Sequence, residues 1–367
     1  MFDKAAGFEN VLNLGVGEPY FDTPENIINA AVEGLKSGHT KYTPNAGVLP
    51  LRKAIAEKLE KDNGIKSQVE NIVVATGACE AITLCLFTLA DPGDEILLPD
   101  PCWPNYYGQI TVGGAIPVPV PTFKNEKFHI TAKSIESAIT PRTKGIILNS
   151  PSNPTGAVIS KKELLEIASL IKEHSLFVIA DEPYEKLVYD DVEFFSIGSL
   201  EGMEKHVLTV NSFSKSYAMT GWRVGYIHAP VLIAESIAKM QENFSSCVNS
   251  AAQFGAVEAL LGPQDNVAVM RDSYRERRDI IVEGLNGIRG ISCSVPEGAF
   301  YAFPDISELG MSSREFAFRL LEEKRVVTVP GEAFGACGEG HIRMSFAAKK
   351  ETIKSAVKKI EEFVSSL

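Results

Sequence analysis

The chain has 367 residues, 45% of them hydrophobic and 23% charged, with a formal net charge of −11. That length supports a large core and two domains. The acidic balance speaks against nucleic-acid binding, which needs a basic face, and no apolar run approaches the roughly 20 residues that span a bilayer.

At the start, Met1-Phe2-Asp3-Lys4-Ala5-Ala6 lacks a signal-peptide pattern. The six cysteines show no Cys-x-x-Cys spacing and read as reduced thiols, so a cytoplasmic setting is expected. The six histidines are scattered, and no metal site is expected. Pro24, at the first helical position behind Thr23, predicts a helix with Ile27, Ile28, Ala31 and Leu35 on one face and Gly38 as its stop. Leu51, Ile55 and Leu59 predict another helix that ends before Gly64. Ser160-Lys161-Lys162-Glu163 predicts a capping box ahead of Leu164, Ile167, Ala168 and Ile171. Strand-like apolar runs fall at 72–75, 95–98, 115–120, 145–148, 176–180, 207–210 and 224–229. Their alternation with helical segments predicts an α/β domain on a mostly parallel sheet.

Past residue 265 the pattern changes. Helical patterns at 271–285, 314–324 and 351–364 surround short strands at 300–303 and 341–346. A smaller α+β domain is expected there, joined by Val11-Leu12-Asn13-Leu14. The boundaries are 24–264 for the large domain, and 1–23 with 265–367 for the small one.

Ligands of open α/β sheets bind outside the carboxyl ends of the strands. Unusual sequence sits at those ends repeatedly: Thr76-Gly77-Ala78-Cys79-Glu80, Pro99-Asp100-Pro101-Cys102-Trp103, Asn149 to Gly156, Asp181-Glu182-Pro183-Tyr184 and Ser212-Phe213-Ser214-Lys215. Each alone reads as turn punctuation, because Gly, Pro, Asn and Asp are what turns require. Their convergence on one sheet edge, each with a useful side chain, points to a site.

Lys215 carries the chemistry. A lysine in a serine-rich loop is by itself an ordinary solvated residue. Just past a buried strand, with Ser212 and Arg223 available for a phosphate, its amine can form a Schiff base with a phosphorylated aldehyde. Pyridoxal 5'-phosphate is such an aldehyde. The other ends then complement it. Gly77, Ala78 and Cys79 offer backbone N–H groups at a helix N-terminus to the phosphate. Asp181 can keep the pyridine nitrogen protonated, Trp103 can stack on the ring, and Asn153 and Tyr184 can bond its phenolic oxygen.

Taken together, Gly15-Val16-Gly17-Glu18-Pro19, Lys41-Tyr42-Thr43-Pro44, Thr76-Gly77-Ala78, Asn153-Pro154-Thr155-Gly156, Asp181-Glu182-Pro183-Tyr184, the stretch from Ser212 to Arg223, and Ile342-Arg343-Met344-Ser345-Phe346 resemble the class I aminotransferases of the fold-type-I pyridoxal-phosphate superfamily. The likeness spans the chain. The chain is similar to the branch that includes prokaryotic aspartate, aromatic and broad-specificity aminotransferases.

The resemblance implies a seven-stranded sheet, a ping-pong transaminase of L-amino acids and 2-oxo acids, and 2-oxoglutarate as acceptor. It implies that Arg343 clamps the substrate α-carboxylate and that Gly17 contacts the same group through its backbone. It also implies that Tyr42 reaches the phosphate of a neighbouring subunit in a homodimer with shared active sites. Without it, Arg343 reads as a solvent-facing residue of an alternating strand and Tyr42 as a loop aromatic.

The chain departs from the family in its short segment ahead of Gly15, where relatives often carry a longer arm, in Tyr20, where relatives often have aspartate, and in Cys79, where one aspartate-preferring branch has lysine. Aspartate, aromatic, alanine-like and broad donors stay open. A β-elimination C–S lyase would share every cofactor residue. A regulator built on the same fold needs an N-terminal helix-turn-helix domain, for which no room is expected ahead of Gly15.

Overall fold

Runs such as 145–148 and 176–180 are apolar without alternation, as strands buried on both faces must be. In the computed structural model, which describes residues 2–367, they form the centre of one sheet. The strands in chain order are β1 (Leu12–Asn13), β2 (Ile72–Ala75), β3 (Glu95–Asp100), β4 (Ile116–Pro121), β5 (Thr143–Asn149), β6 (Phe177–Asp181), β7 (Val207–Ser212) and β8 (Gly225–His228), followed by β9 (Tyr301–Ala302), β10 (Val326–Val327), β11 (Val329–Pro330) and β12 (Ile342–Ser345).

The large sheet has seven strands in the order β2-β8-β7-β6-β5-β3-β4. All pairs are parallel except those of β8, which runs antiparallel to both β2 and β7. Pro117, Pro119 and Pro121 sit on β4, which pairs with β3 alone and so is an edge strand that tolerates missing N–H donors. Helices cover both faces. Ile82, Ile110 and Ile237 pack on one, and Ile135, Leu164 and Ile167 on the other.

The C-terminal part packs around Tyr274, Phe300, Phe316, Ile353 and Phe363, in a core that also takes in Tyr184, Leu187 and Tyr189. Leu14 belongs to it, and β1 pairs in parallel with β10. The segment around β1 therefore packs with these C-terminal elements. Met1 lies outside the described residues.

Two local expectations need correction. Pro24 precedes the helix Glu25–Lys36 instead of opening it, with ψ 141°. Its carbonyl accepts from Ile27 and Ile28 N–H, while the Thr23 hydroxyl is engaged elsewhere, donating to the Ala218 carbonyl. The Ser160 hydroxyl accepts from Glu163 N–H, but the Glu163 carboxylate accepts from Ala132 N–H at 2.6 Å. Only half a capping box forms, because a tertiary partner takes the other half.

Candidate active site

The carboxyl ends of β2, β3, β5, β6 and β7 open on one cavity of about 420 Å³. Gly17, Ala78, Cys79, Trp103, Asn153, Asp181, Tyr184, Ser212, Lys215, Arg223 and Arg343 all line it. Gly77, which precedes the lining residue Ala78, and Tyr42 are not among the lining residues.

Lys215 lies in the loop between β7 and β8, where the backbone leaves the sheet and returns. Its Nζ donates to the Gly17 carbonyl at 2.6 Å. Burial pulls its pKa down to about 8, and the Arg343 cation adds to the shift. A substantial neutral amine fraction is therefore present near pH 8.

Asp181 ends β6 and is fully buried beneath the cavity. Tyr106 donates to its Oδ2, and its Oδ1 has no hydrogen-bond partner among the described residues. Burial pushes the carboxyl up to about 6, against the lowering effect of the Tyr106 bond. Asn149, opposite Asp181 in the β5–β6 register, donates to the Asp181 carbonyl at 2.9 Å and accepts from Asn153 N–H at 2.9 Å.

Arg343 is buried, contrary to the solvent-facing alternative for an alternating strand. Its Nη1 donates to Asn153 Oδ1 at 2.9 Å, and its Nη2 to the Gly15 carbonyl at 2.6 Å. The neighbours Ile342 and Met344 are buried too, because β12 lies between β11 and β9 with both faces covered.

Gly77 opens the helix Gly77–Leu89 at φ 79°, a conformation that side chains rarely adopt. A Cβ there would also lie 2.6 Å from Arg223 Nη2. Arg223 donates to the Thr220 carbonyl at 2.9 Å and keeps an exposed guanidinium at the mouth. The Ser212 hydroxyl accepts from Ser214 N–H at 2.9 Å.

These groups fit pyridoxal phosphate. An orphan carboxylate oxygen matches a protonated ring nitrogen. A helix N-terminus with an arginine and a serine beside it matches a dianionic phosphate. The neutralisable lysine matches an aldehyde.

Tyr106 and Tyr301 line the cavity as well, and sequence reasoning missed both. Tyr106 packs edge-on against Trp103 with ring centroids 5.3 Å apart. Tyr301 faces Tyr184, their hydroxyls 2.9 Å apart. Tyr301 sits inside the apolar run 299–303, which reads as core, and Tyr106 carries no motif that marks its hydroxyl.

Fold and site together define a fold-type-I pyridoxal-phosphate enzyme, with a mostly parallel seven-stranded sheet whose β7–β8 loop carries Lys215. The chain belongs to the aminotransferase class I and II family, whose model matches residues 9–360, and it is a transaminase. It is 43% identical over 365 residues to the aspartate aminotransferase of Pyrococcus abyssi, covering 99% of this chain and 94% of that one. It is 41% identical over 365 residues to aromatic-amino-acid aminotransferase 2 of Thermococcus litoralis, with the same coverage of 99% and 94%. The crystal structure of the aromatic aminotransferase from Pyrococcus horikoshii OT3 superposes with a TM-score of 0.96 at 41% identity, covering 100% of this chain and 98% of that one.

Proposed function

We propose that this transaminase takes its amino group from aspartate or an aromatic L-amino acid and passes it to 2-oxoglutarate, in two half-reactions through the same cleft. The observation that carries the reading is the pairing of a readily neutralised amine, Lys215, with a forked cation, Arg343, in one cavity. Relatives named for aspartate and for aromatic amino acids stand at similar identity, which supports both donor classes.

Bound pyridoxal phosphate supplies an electrophilic carbon and a ring that stabilises negative charge at the substrate Cα. Lys215 Nζ would anchor the group covalently and, when freed, would carry the proton removed from the substrate Cα. Asp181 Oδ1 would hold a proton at the ring nitrogen. Tyr184 and Asn153 would bond the ring oxygen, and Trp103 would cover the ring face. Gly77, Ala78, Cys79, Ser212 and Arg223 would bind the phosphate. Arg343 orients the α-carboxylate with help from the Gly17 backbone, so that the Cα hydrogen meets Lys215.

We further propose a homodimer with shared sites, in which Tyr42 serves the neighbouring phosphate. Tyr42 is 91% exposed, and Ile28, Val32 and Leu35 form an apolar row that lines a separate groove. The division into a 24–264 unit that holds the cofactor and a 1–23 plus 265–367 unit that brings Arg343 belongs to the same reading. So does a cytoplasmic setting. No helix among the described residues is long and apolar enough to cross a membrane.

The test is a donor panel on the loaded enzyme, with Asp, Glu, Ala, Tyr, Phe, Lys and cystathionine, followed by absorbance. Asp or the aromatic amino acids should react fastest and release their 2-oxo acids. Pyruvate and ammonia released from cystathionine would instead assign a C–S lyase.

A further inference from the structure

Tyr301 has contacts that the reading above leaves unused. It is 1% exposed. Its hydroxyl lies 2.9 Å from the Tyr184 hydroxyl, and neither hydroxyl has another hydrogen-bond partner among the described residues. Its ring centroid lies 4.5 Å from Arg343 Cζ. Gly17 leaves the space this phenol occupies, since a Cβ at Gly17 would fall 2.3 Å from the Tyr301 hydroxyl oxygen. One side chain thus touches three members of the site.

We propose that Tyr301 is a positioning residue for transamination, its hydroxyl turning the single Tyr184 hydrogen into the cleft and its ring fixing the Arg343 guanidinium. The inference rests on the reading that Tyr184 donates to the cofactor's ring oxygen.

The direction follows from hydrogen counting. A phenol has one hydrogen to donate. If Tyr184 donated to Tyr301, its lone pairs would face the ring oxygen, and two acceptors would oppose each other. If Tyr301 donates to Tyr184, the Tyr184 hydrogen is free for the cleft. An acceptor oxygen in the cleft selects the second arrangement. The donated bond also polarises the Tyr184 hydroxyl and strengthens what it gives. The ring contact is a separate device. Arg343 already spends Nη1 on Asn153 and Nη2 on Gly15, and an aromatic face under the guanidinium carbon holds the orientation of that fork.

Two variants separate the devices. Tyr301→Phe keeps the ring and removes the hydroxyl. Tyr301→Leu removes both. The first readout is the pH at which the absorbance of the bound cofactor changes, taken on the holoenzyme without substrate. The other titratable or charged groups around the cleft, Asp181, Lys215, Arg223, Arg343, Glu18 and Tyr106, are the same in every variant. Tyr301→Phe should raise that pH by roughly half a unit to one unit, because the ionised ring oxygen loses support. Its KM for amino donors should stay near wild type. Tyr301→Leu should show the same spectral shift and also raise KM for every donor by roughly 2- to 10-fold.

Tyr184→Phe is the control. If it shifts the titration and Tyr301→Phe does not, the role of Tyr301 is overturned and that of Tyr184 stands. If neither shifts it, the Tyr184 reading fails and the inference falls with it. An unchanged KM in Tyr301→Leu removes the role of the ring. A lowered melting temperature with both readouts unmoved reduces Tyr301 to packing.

Discussion

Tyr106 donates its phenolic hydrogen to one oxygen of the Asp181 carboxylate and leaves the other oxygen without a partner among the described residues. A buried carboxylate satisfied on one side costs stability when it ionises. Its pKa, raised from 3.8 to about 6 by burial, sets the pH window. Below the lower value the folded and unfolded chains are both protonated and the cost is absent. Above about pH 6 the cost is fully present, roughly 3 kcal/mol at most. Asp181→Asn should therefore stabilise the cofactor-free chain at pH 8, and the gain should shrink toward pH 4. Denaturant unfolding at both pH values measures it. The same variant should lose turnover by at least about 100-fold, since an amide cannot hold the ring-nitrogen proton. Equal stability at pH 8, or near-normal turnover, contradicts the assignment.

Arg343→Lys keeps a charge and loses the fork. Lysine cannot meet Asn153, Gly15 and a substrate carboxylate together. Catalytic efficiency should fall by about 30- to 1,000-fold, by similar factors for all amino donors, with cofactor affinity intact. A donor-selective loss would move Arg343 to the side-chain pocket.

Lys215 should react as an unusually nucleophilic lysine in the cofactor-free chain. Its pKa is lowered to about 8, so its neutral fraction rises through that pH. Competitive acetylation read by peptide mass spectrometry should give a labelling midpoint near pH 8. Exposed lysines should keep rising toward about 10.4. Borohydride reduction of the holoenzyme should fix the cofactor to the peptide carrying Lys215, and Lys215→Ala should abolish this. A reducible linkage that survives in the alanine variant would place the anchor elsewhere.

Tyr42→Phe should weaken cofactor retention, with the loss read by equilibrium dialysis. Activity should also fall on dilution through the dimer dissociation range, as sedimentation defines it. A fully active monomer would dismiss both the shared site and the dimer.

The polar half of the site was legible because Asp181, Asn153 and Lys215 follow unbroken apolar runs, where a charged or amide side chain stands out. Tyr106 and Tyr301 were not, since a phenol whose ring is buried looks like core until its oxygen is placed. The Ser250–Leu261 helix escaped for a related reason. Ala251, Ala252, Gly255, Ala256 and Ala259 are all buried or nearly so, leaving no polar face to mark a period. Strand direction was also hidden. The 224–229 run looks like its neighbours, and only the short return from β7 makes β8 antiparallel. Glu163 shows the limit of local motifs, because its preferred partner, Ala132, lies 31 residues away.

The place of β8 has a consequence for synthesis on the ribosome. β2 is an edge strand whose only strand neighbour among the described residues is β8, so Ile72 to Ala75 have no strand to pair with until residue 228 has emerged. The loop that carries Lys215 lies between β7 and β8, so the segment that completes the sheet also brings Lys215 into place. A nascent chain released before that point exposes an unpaired edge and has no cofactor site. Capture of pyridoxal phosphate would therefore report that the sheet has closed.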